Sequence, residues 1–291
     1  MRRAAWTAVL GLCLLASPGR AYDSIFERIG NDPTLARIFP EDDARAEVQE
    51  GFLLGTGTES VRHLPNGGLR IERTRNYTRV RDTDSGQVAK LPEPWLARSV
   101  LTVGPNLRLV SSDTWIQFKR SGDGVLPGEK LSERHDWLFN VDRTTSRASA
   151  DGKHLSYQVF QGGKRVKNET YDYPSDSVPL ELIGLLLTVA VQRQLDAFDF
   201  DLVVGSDTHG VRAQTYRTRD LRRYAKGYPL PKARLVTNEA QAVVDMRLAS
   251  PIKYLFFPHH FYMAFSVKEP WKLNLLWGGD PDENLQAVRL D

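Results

Sequence analysis

The chain has 291 residues, a formal net charge of +3 from 39 basic and 36 acidic residues, and a single cysteine. One cysteine excludes an intramolecular disulfide framework and a cysteine-rich metal site. The fold must therefore depend on an ordinary apolar core, which a chain of this length can supply.

The N-terminus has the pattern of a secretory signal peptide. Arg2 and Arg3 precede an apolar run from Ala4 to Ala16, and Gly19 and Ala21 are small residues at the positions that a signal peptidase reads. The run is shorter than the roughly 20 residues needed to span a bilayer. The sequence predicts cleavage after Ala21 and a periplasmic or secreted domain over residues 22–291.

Cleavage would also change the charge balance. The leader carries three arginines, no acid and the only cysteine, so 36 basic residues would face 36 acidic ones. A neutral exported chain gives no support to nucleic acid as a partner.

The mature chain is predicted to begin with one or two short helical turns over residues 22–43 and to become β-rich from about Ala46. Asn66-Gly67 separates two extended runs, which is a strong hairpin signal because both turn positions of the favoured hairpin turn need positive φ. Residues 69–80 are the predicted return strand.

Later segments alternate apolar and polar residues with period two. Phe198 and Phe200 alternate with aspartates, and Val244 and Met246 alternate with Asp245 and its neighbours. Such alternation indicates strands with one buried face and one wet face, as in an antiparallel sheet.

One segment breaks this pattern. Residues 177–193 are apolar on every side except at Glu181. Asp176 and Ser177 are suitable N-caps, and Pro179 is tolerated in a first helical turn. A helix that is apolar all round must be buried. We therefore predict an α+β fold: a long curved antiparallel sheet, a half-barrel or open barrel, wrapped around one apolar helix near 178–193. A single domain over 22–291 is expected, with a possible subdivision near residue 175.

The apolar segment 178–191, the strand-like run 198–204 and the closing runs 254–258 and 270–277 together resemble a known architecture. The plan is similar to the half-barrel of periplasmic lipoprotein carriers, and more closely to a poorly characterised family of exported bacterial β-rich proteins. In the carriers a concave apolar sheet face holds acyl chains, so the resemblance implies a lipid-like ligand and supplies no catalytic residues.

Aromatic residues are concentrated near the C-terminus, where Pro258 marks a strand edge or bulge. Aromatic residues fill a core by default, and the alternative is the wall of an apolar ligand cavity between the sheet and the helix. The predicted lining of that cavity is Leu182, Leu186, Tyr254, Phe256, His260, Tyr262, Trp271 and Trp277.

The six histidines do not predict a metal site. His259 and His260 are adjacent, and adjacent residues of a strand point to opposite faces, so the two imidazoles cannot easily share one ion. Asp207-Thr-His209-Gly is better explained by a turn than by a hydrolase loop, and the sequence lacks the nucleophile elbow of hydrolases and the phosphate-binding loop. No cofactor and no catalytic residue is predicted, and a hydrolase using His209 or His260 is the least favoured function.

The stretch from Asp207 to Arg234 is locally basic. A solvated strand face explains it, but Arg222, Arg223 and Lys226 are also suited to an anionic membrane surface or an acidic envelope protein. Two functions therefore stay open: a non-enzymatic envelope protein that binds an apolar or lipid-like ligand, and an envelope assembly or interaction factor with a filled core that acts through its surface.

Overall fold

A computed structural model of the chain describes residues 24–29, 32–50, 53–81, 87–117, 142–204, 207–222, 236–249, 260–269, 272–278 and 285–289. The predicted leader, residues 1–21, lies outside these ranges. Two short helical turns open the described chain, as the sequence predicted: helix α1 (Ile25–Ile29) and a 3₁₀ turn (Leu35–Ile38).

Within the described ranges, fifteen strands and one further α-helix follow. The strands are β1 (Asp42–Glu50), β2 (Leu53–His63), β3 (Leu69–Arg81), β4 (Val88–Val103), β5 (Leu109–Gln117), β6 (Arg143–Ala148), β7 (His154–Gln161), β8 (Lys164–Asp172), β9 (Ser177–Pro179), β10 (Ala197–Val204), β11 (Asp207–Asp220), β12 (Val236–Leu248), β13 (Phe261–Ser266), β14 (Leu273–Gly278) and β15 (Leu285–Arg289). A 3₁₀ turn (Leu180–Leu182) leads from β9 into helix α2 (Ile183–Gln192).

All the strands join in one sheet in the order β8-β7-β6-β5-β4-β3-β2-β1-β15-β14-β13-β12-β11-β10-β9. Every neighbouring pair is antiparallel except β9 with β10, which is parallel. The two edge strands, β8 and β9, are consecutive in the chain, and the four residues that join them span at most about 18 Å. The sheet must therefore curl until its edges approach each other. Residue 175, the predicted point of subdivision, lies in this link.

Helix α2 lies inside the curl. Its residues belong to the same apolar cluster as Ile71 and Leu101 on one half of the sheet and as Phe198, Val244 and Phe265 on the other. A flat sheet of fifteen strands could not place both of its halves in contact with one helix. The predicted α+β class, with a curved antiparallel sheet around one apolar helix, is confirmed.

The start of the helix differs from the prediction. Residues 177–179 form β9, paired in parallel with residues 201–203 of β10, and α2 begins only at Ile183. Ser177 does not cap the helix: its hydroxyl donates to the Pro174 carbonyl at 2.9 Å. The reason is local as well as tertiary, because a residue before proline, here Val178, is biased toward extended backbone.

The hairpin at Asn66-Gly67 is confirmed, but its turn type was wrong. Of the two residues Asn66 and Gly67, only Gly67 has positive φ, at 82°. The Gly67 N–H donates to the Leu64 carbonyl, and the Leu64 N–H donates to the Gly68 carbonyl, each at 2.9 Å. This is a type I turn followed by a left-handed residue. The observed turn spans Leu64 to Gly67, one residue earlier than a turn with Asn66 and Gly67 at its centre. Pro65 is therefore its second residue, where the negative φ of a proline ring suits a type I turn.

Candidate functional site

The space beside the N-terminal end of helix α2 is closely filled. Leu182 and Leu186, two predicted cavity residues, are 1% and 3% exposed. The cavity that they line, together with Ile29, Leu35 and Leu107 among others, has a volume of about 10 Å³. That volume holds about one water molecule. At these two leucines the inner face of the sheet therefore borders a packed core.

A buried carboxyl group lies at the same end of the helix. Burial raises the pKa of Glu181 above its ordinary value, and the nearby Arg73 guanidinium partly offsets this rise. Arg73 also donates to the Glu181 carbonyl at 2.8 Å and forms an ion pair with Glu59. Burial, with the charge of Glu181 as a second cause, raises the pKa of Tyr157 and of Tyr171. The sequence singled out Glu181 only as an exception in an apolar segment.

His260 and Tyr262 lie on the other side of the sheet. Tyr262 alternates with Met263, which packs in the core around α2, so the two side chains point to opposite faces. His260 Nδ1 lies 2.6 Å from Asp245 Oδ1, and Asp245 likewise alternates with the core residue Val244. The His260 ring stacks on Tyr262 at 5.8 Å between centroids. The structure does not bring these two residues together with Leu182 and Leu186.

The remaining predicted residues are only partly placed. Tyr254, Phe256, Trp271, Arg223 and Lys226 lie outside the described residues. Trp277 belongs to β14, where its backbone stands opposite Tyr262 in register. The predicted apolar cavity, as a complete set of residues, stays a prediction.

Arg222 is engaged within its own turn. Its guanidinium donates to both carboxylate oxygens of Asp220, with contacts of 2.5 to 3.1 Å. These hydrogen bonds lower the pKa of Asp220 to about 2. The charge of Arg222 is thereby largely balanced by an adjacent acid.

His209 occupies a strand and not the expected turn. It lies in β11, opposite Leu202 of β10, and its Nδ1 is buried without a hydrogen-bond partner in the described chain. Across the described ranges, histidines, aspartates and glutamates form no group of three that could hold a metal ion. The same ranges contain no helix long and apolar enough to cross a membrane.

A larger cleft opens at the opposite end of helix α2. Its volume is about 270 Å³, close to the lower end of the 300–1,000 Å³ typical of small-molecule sites. The apolar part of its wall comes from Val191 and Leu195 on the helix side, Ala242 on β12, and Val267 after β13. The cleft is thus a space between the sheet and the helix, but not at the residues that the sequence proposed.

The helix ends at this cleft in a strained turn. The Leu195 N–H donates to the Ala190 carbonyl at 2.9 Å, and the Gln194 N–H donates to the Val191 carbonyl at 3.1 Å. This is a Schellman motif, whose left-handed position usually holds glycine. Here Gln194 occupies it with φ of 57° and lines the cleft. A non-glycine residue in this conformation costs about 1 kcal/mol or more, and such strain is often found at functional sites.

Two charged residues line the cleft without a partner. No hydrogen bond or ion pair of the described chain engages the side chain of Arg217 or of Asp196, although both line the cleft. Arg217 stands opposite Ala242 in register, and Thr215 stands opposite the core residue Val244. Both therefore belong to the inner face of the sheet. The Thr215 Oγ1 is buried and has no hydrogen-bond partner among the same residues.

Sequence reasoning missed this site. It predicted a solvated strand face for the basic stretch, and the Arg217 side chain is indeed exposed at the mouth of the cleft. Period two nevertheless puts Arg217 in phase with Ala213, a buried core residue. The inward phase of Arg217 was therefore readable. The approach of the helix end to β11 was not, because it depends on how the sheet curls.

The fold and the cleft define a β-barrel-like protein with a curved sheet around a central helix. No protein-family model matches the chain, and no curated protein sequence matches it. Among solved structures, the chain is similar to a β-barrel-like protein of a domain of unknown function, DUF1849, from Brucella abortus. The identity is 8%, the TM-score is 0.48, and the match covers 86% of this chain and 95% of that chain.

Proposed function

We propose that the protein is an exported, non-enzymatic binding protein of the cell envelope that holds an apolar or lipid-like ligand between the sheet and helix α2. The observation that carries the proposal is the cleft of about 270 Å³ at the C-terminal end of α2. The secretory pattern of residues 1–21 supports a periplasmic or secreted location.

The character of the wall supports a ligand with an apolar part. Val191 and Leu195 are 6% exposed, yet they border a space large enough to admit a small molecule. Five polar or charged residues share the wall with these apolar ones, so the cleft suits a ligand that carries a polar or charged part beside its apolar part: Gln192, Gln194, Asp196, Thr215 and Arg217. The packed space beside Leu186 supports binding at the cleft and not along the whole helix.

The test is native mass spectrometry of protein purified from its own envelope, with a fluorescent fatty-acid probe as a second assay. We expect a copurifying lipid and probe binding that Val267→Trp weakens at least tenfold, because the indole would occupy the cleft. Val204→Trp, at a site 40% exposed and outside the cleft, is the matched control. Absence of both copurifying lipid and probe binding would exclude the proposal.

A second candidate is an envelope assembly or interaction factor that acts through its surface. The packed core beside Leu182 and Leu186 favours it. If it holds, reversing the charges of Arg222, Arg223 and Lys226 abolishes pull-down of the partner. Retained pull-down by the triple variant would count against this function.

A further inference from the structure

Asp196 and Arg217, the two exposed charged residues of the cleft that have no side-chain partner among the described residues, are placed so that they can select a ligand by its charges. The Thr215 N–H donates to the Asp196 carbonyl at 2.8 Å, so Asp196 lies beside Thr215. Arg217 is the next residue on the same face of β11, about 6.8 Å further along the strand. One acidic and one basic residue thus lie several ångströms apart on one wall.

The end of helix α2 adds to the negative electrostatic potential around Asp196. The C-terminal end of α2 carries a partial negative charge from its aligned peptide dipoles, and Val191 and Gln192 of its last turn line the same cleft as Asp196. A cation is therefore favoured at the Asp196 side, and an anion at the Arg217 side. Leu195 and Val267 supply apolar surface for an attached hydrocarbon part.

We infer that the cleft binds a zwitterionic amphiphile, with its anionic group at Arg217 and its cationic group at Asp196. The inference rests on the proposed function and specifies the ligand class of the same site. A purely anionic amphiphile would meet the repulsion of Asp196 and of the helix end, and a purely cationic one would meet the repulsion of Arg217. The same chemistry could come from a phospholipid with an ethanolamine headgroup or from a small free zwitterion.

Three probes distinguish these cases by isothermal titration calorimetry of the full mature chain. Dihexanoylphosphatidylethanolamine carries both charges and acyl chains, dihexanoylphosphatidylglycerol carries only the negative charge and chains, and phosphoethanolamine carries both charges without chains. We expect the ethanolamine lipid to bind at least about tenfold more tightly than the glycerol lipid, since tenfold corresponds to about 1.4 kcal/mol. Equally tight binding of phosphoethanolamine would support the zwitterion site with a soluble source of ligand.

Two variants test which residue recognises which charged group of the ligand. Asp196→Asn should bring the affinity ratio of the two lipids close to one, whereas Arg217→Gln should weaken both lipids about tenfold or more. Asp207→Asn and Arg147→Gln, at exposed positions outside the cleft, are the matched controls and should leave both affinities unchanged. All four positions are in β11, β6 or the turn before β10, and thermal unfolding of each variant checks that its fold is retained.

The outcomes separate the inference from the function on which it rests. If wild-type protein binds both lipids equally, or if Asp196→Asn keeps the preference for ethanolamine, the zwitterion inference is wrong while lipid binding stands. If neither lipid binds but phosphoethanolamine does, the assignment of the two charges stands, and both the amphiphile and the lipid-like ligand of the proposed function are wrong. If no probe binds, both are overturned.

Discussion

The guanidinium of Arg108 lies 3.5 Å from the centroid of the Tyr173 ring and also donates to the Tyr173 carbonyl at 2.8 Å. The same guanidinium donates to the carbonyls of Pro174 and Gly152. Tyr173 and Pro174 belong to the link between the edge strands β8 and β9. One side chain therefore holds the link, the β4–β5 hairpin and the β6–β7 hairpin together.

Replacing Arg108 should loosen this junction. Arg108→Lys keeps the charge but loses the planar fork, so we expect a loss of about 2–4 kcal/mol in the free energy of unfolding. Arg108 is half-buried, and this burial lowers the pKa of its guanidinium. Urea denaturation measures the loss, and Arg147→Lys on an exposed site of β6 is the control. A change in Arg108→Lys no larger than in the control would contradict the clamp.

Gln194→Gly should stabilise the fold. Glycine adopts the left-handed backbone at φ of 57° without the steric cost that glutamine bears there, so we expect a gain of about 1 kcal/mol. Gln192→Gly, two residues earlier at the last position of α2, should instead cost up to about 0.5–1 kcal/mol. Thermal and urea unfolding of the two variants measure the gain in stability expected for Gln194→Gly and the loss expected for Gln192→Gly. A loss of stability in Gln194→Gly would mean that its side chain contributes more than the strain costs.

Glu181→Gln should change the dependence of stability on pH. The ordinary pKa of the glutamate carboxyl is 4.5, and the folded state raises it. The folded state thus keeps the proton where the unfolded state has lost it, so wild-type stability is greatest below 4.5 and falls as pH rises toward the raised pKa. The variant cannot lose this proton, so its advantage over wild type should grow between pH 4.5 and pH 7.

Urea midpoints at pH 4, 5.5 and 7 measure this difference. Glu27→Gln, an exposed glutamate of helix α1, is the control and should follow wild type. A constant offset between Glu181→Gln and wild type at all three pH values would contradict burial of a protonated carboxyl.

The packing around helix α2 can be tested by truncation. Leu186→Ala removes a side chain that is 3% exposed beside a space of only about 10 Å³, so we expect a loss of about 2–5 kcal/mol. Leu180→Ala, at a site 45% exposed, should change stability by less than about 0.5 kcal/mol. A small loss in Leu186→Ala would indicate a looser interior and would favour the apolar cavity predicted from the sequence.

Much of the architecture was readable from the sequence because it follows from local periodicity. Alternation around Phe198 and around Val244 predicted strands with a buried face, and Phe198, Val244 and Met246 are buried, although Val243 on the opposite face of β12 is buried as well. The absence of a polar stripe in residues 183–191 placed a helix in the interior. The turn at Pro65 and the strand at Val178 were misjudged although proline chemistry was visible in both. Those two errors are local ones that the sequence itself could have corrected.

The candidate site was not readable in this way. The sequence determined that a buried helix and an alternating sheet must pack together. Its period-two pattern also puts Arg217 on the same face of β11 as the core residue Ala213. Only the tertiary structure decided that the sheet brings its edges together at Tyr173, fills the space at Leu186 and leaves a cleft beside Asp196. Periodicity reports which face of an element is buried, whereas a cleft depends on the volume left between elements that are distant in the chain.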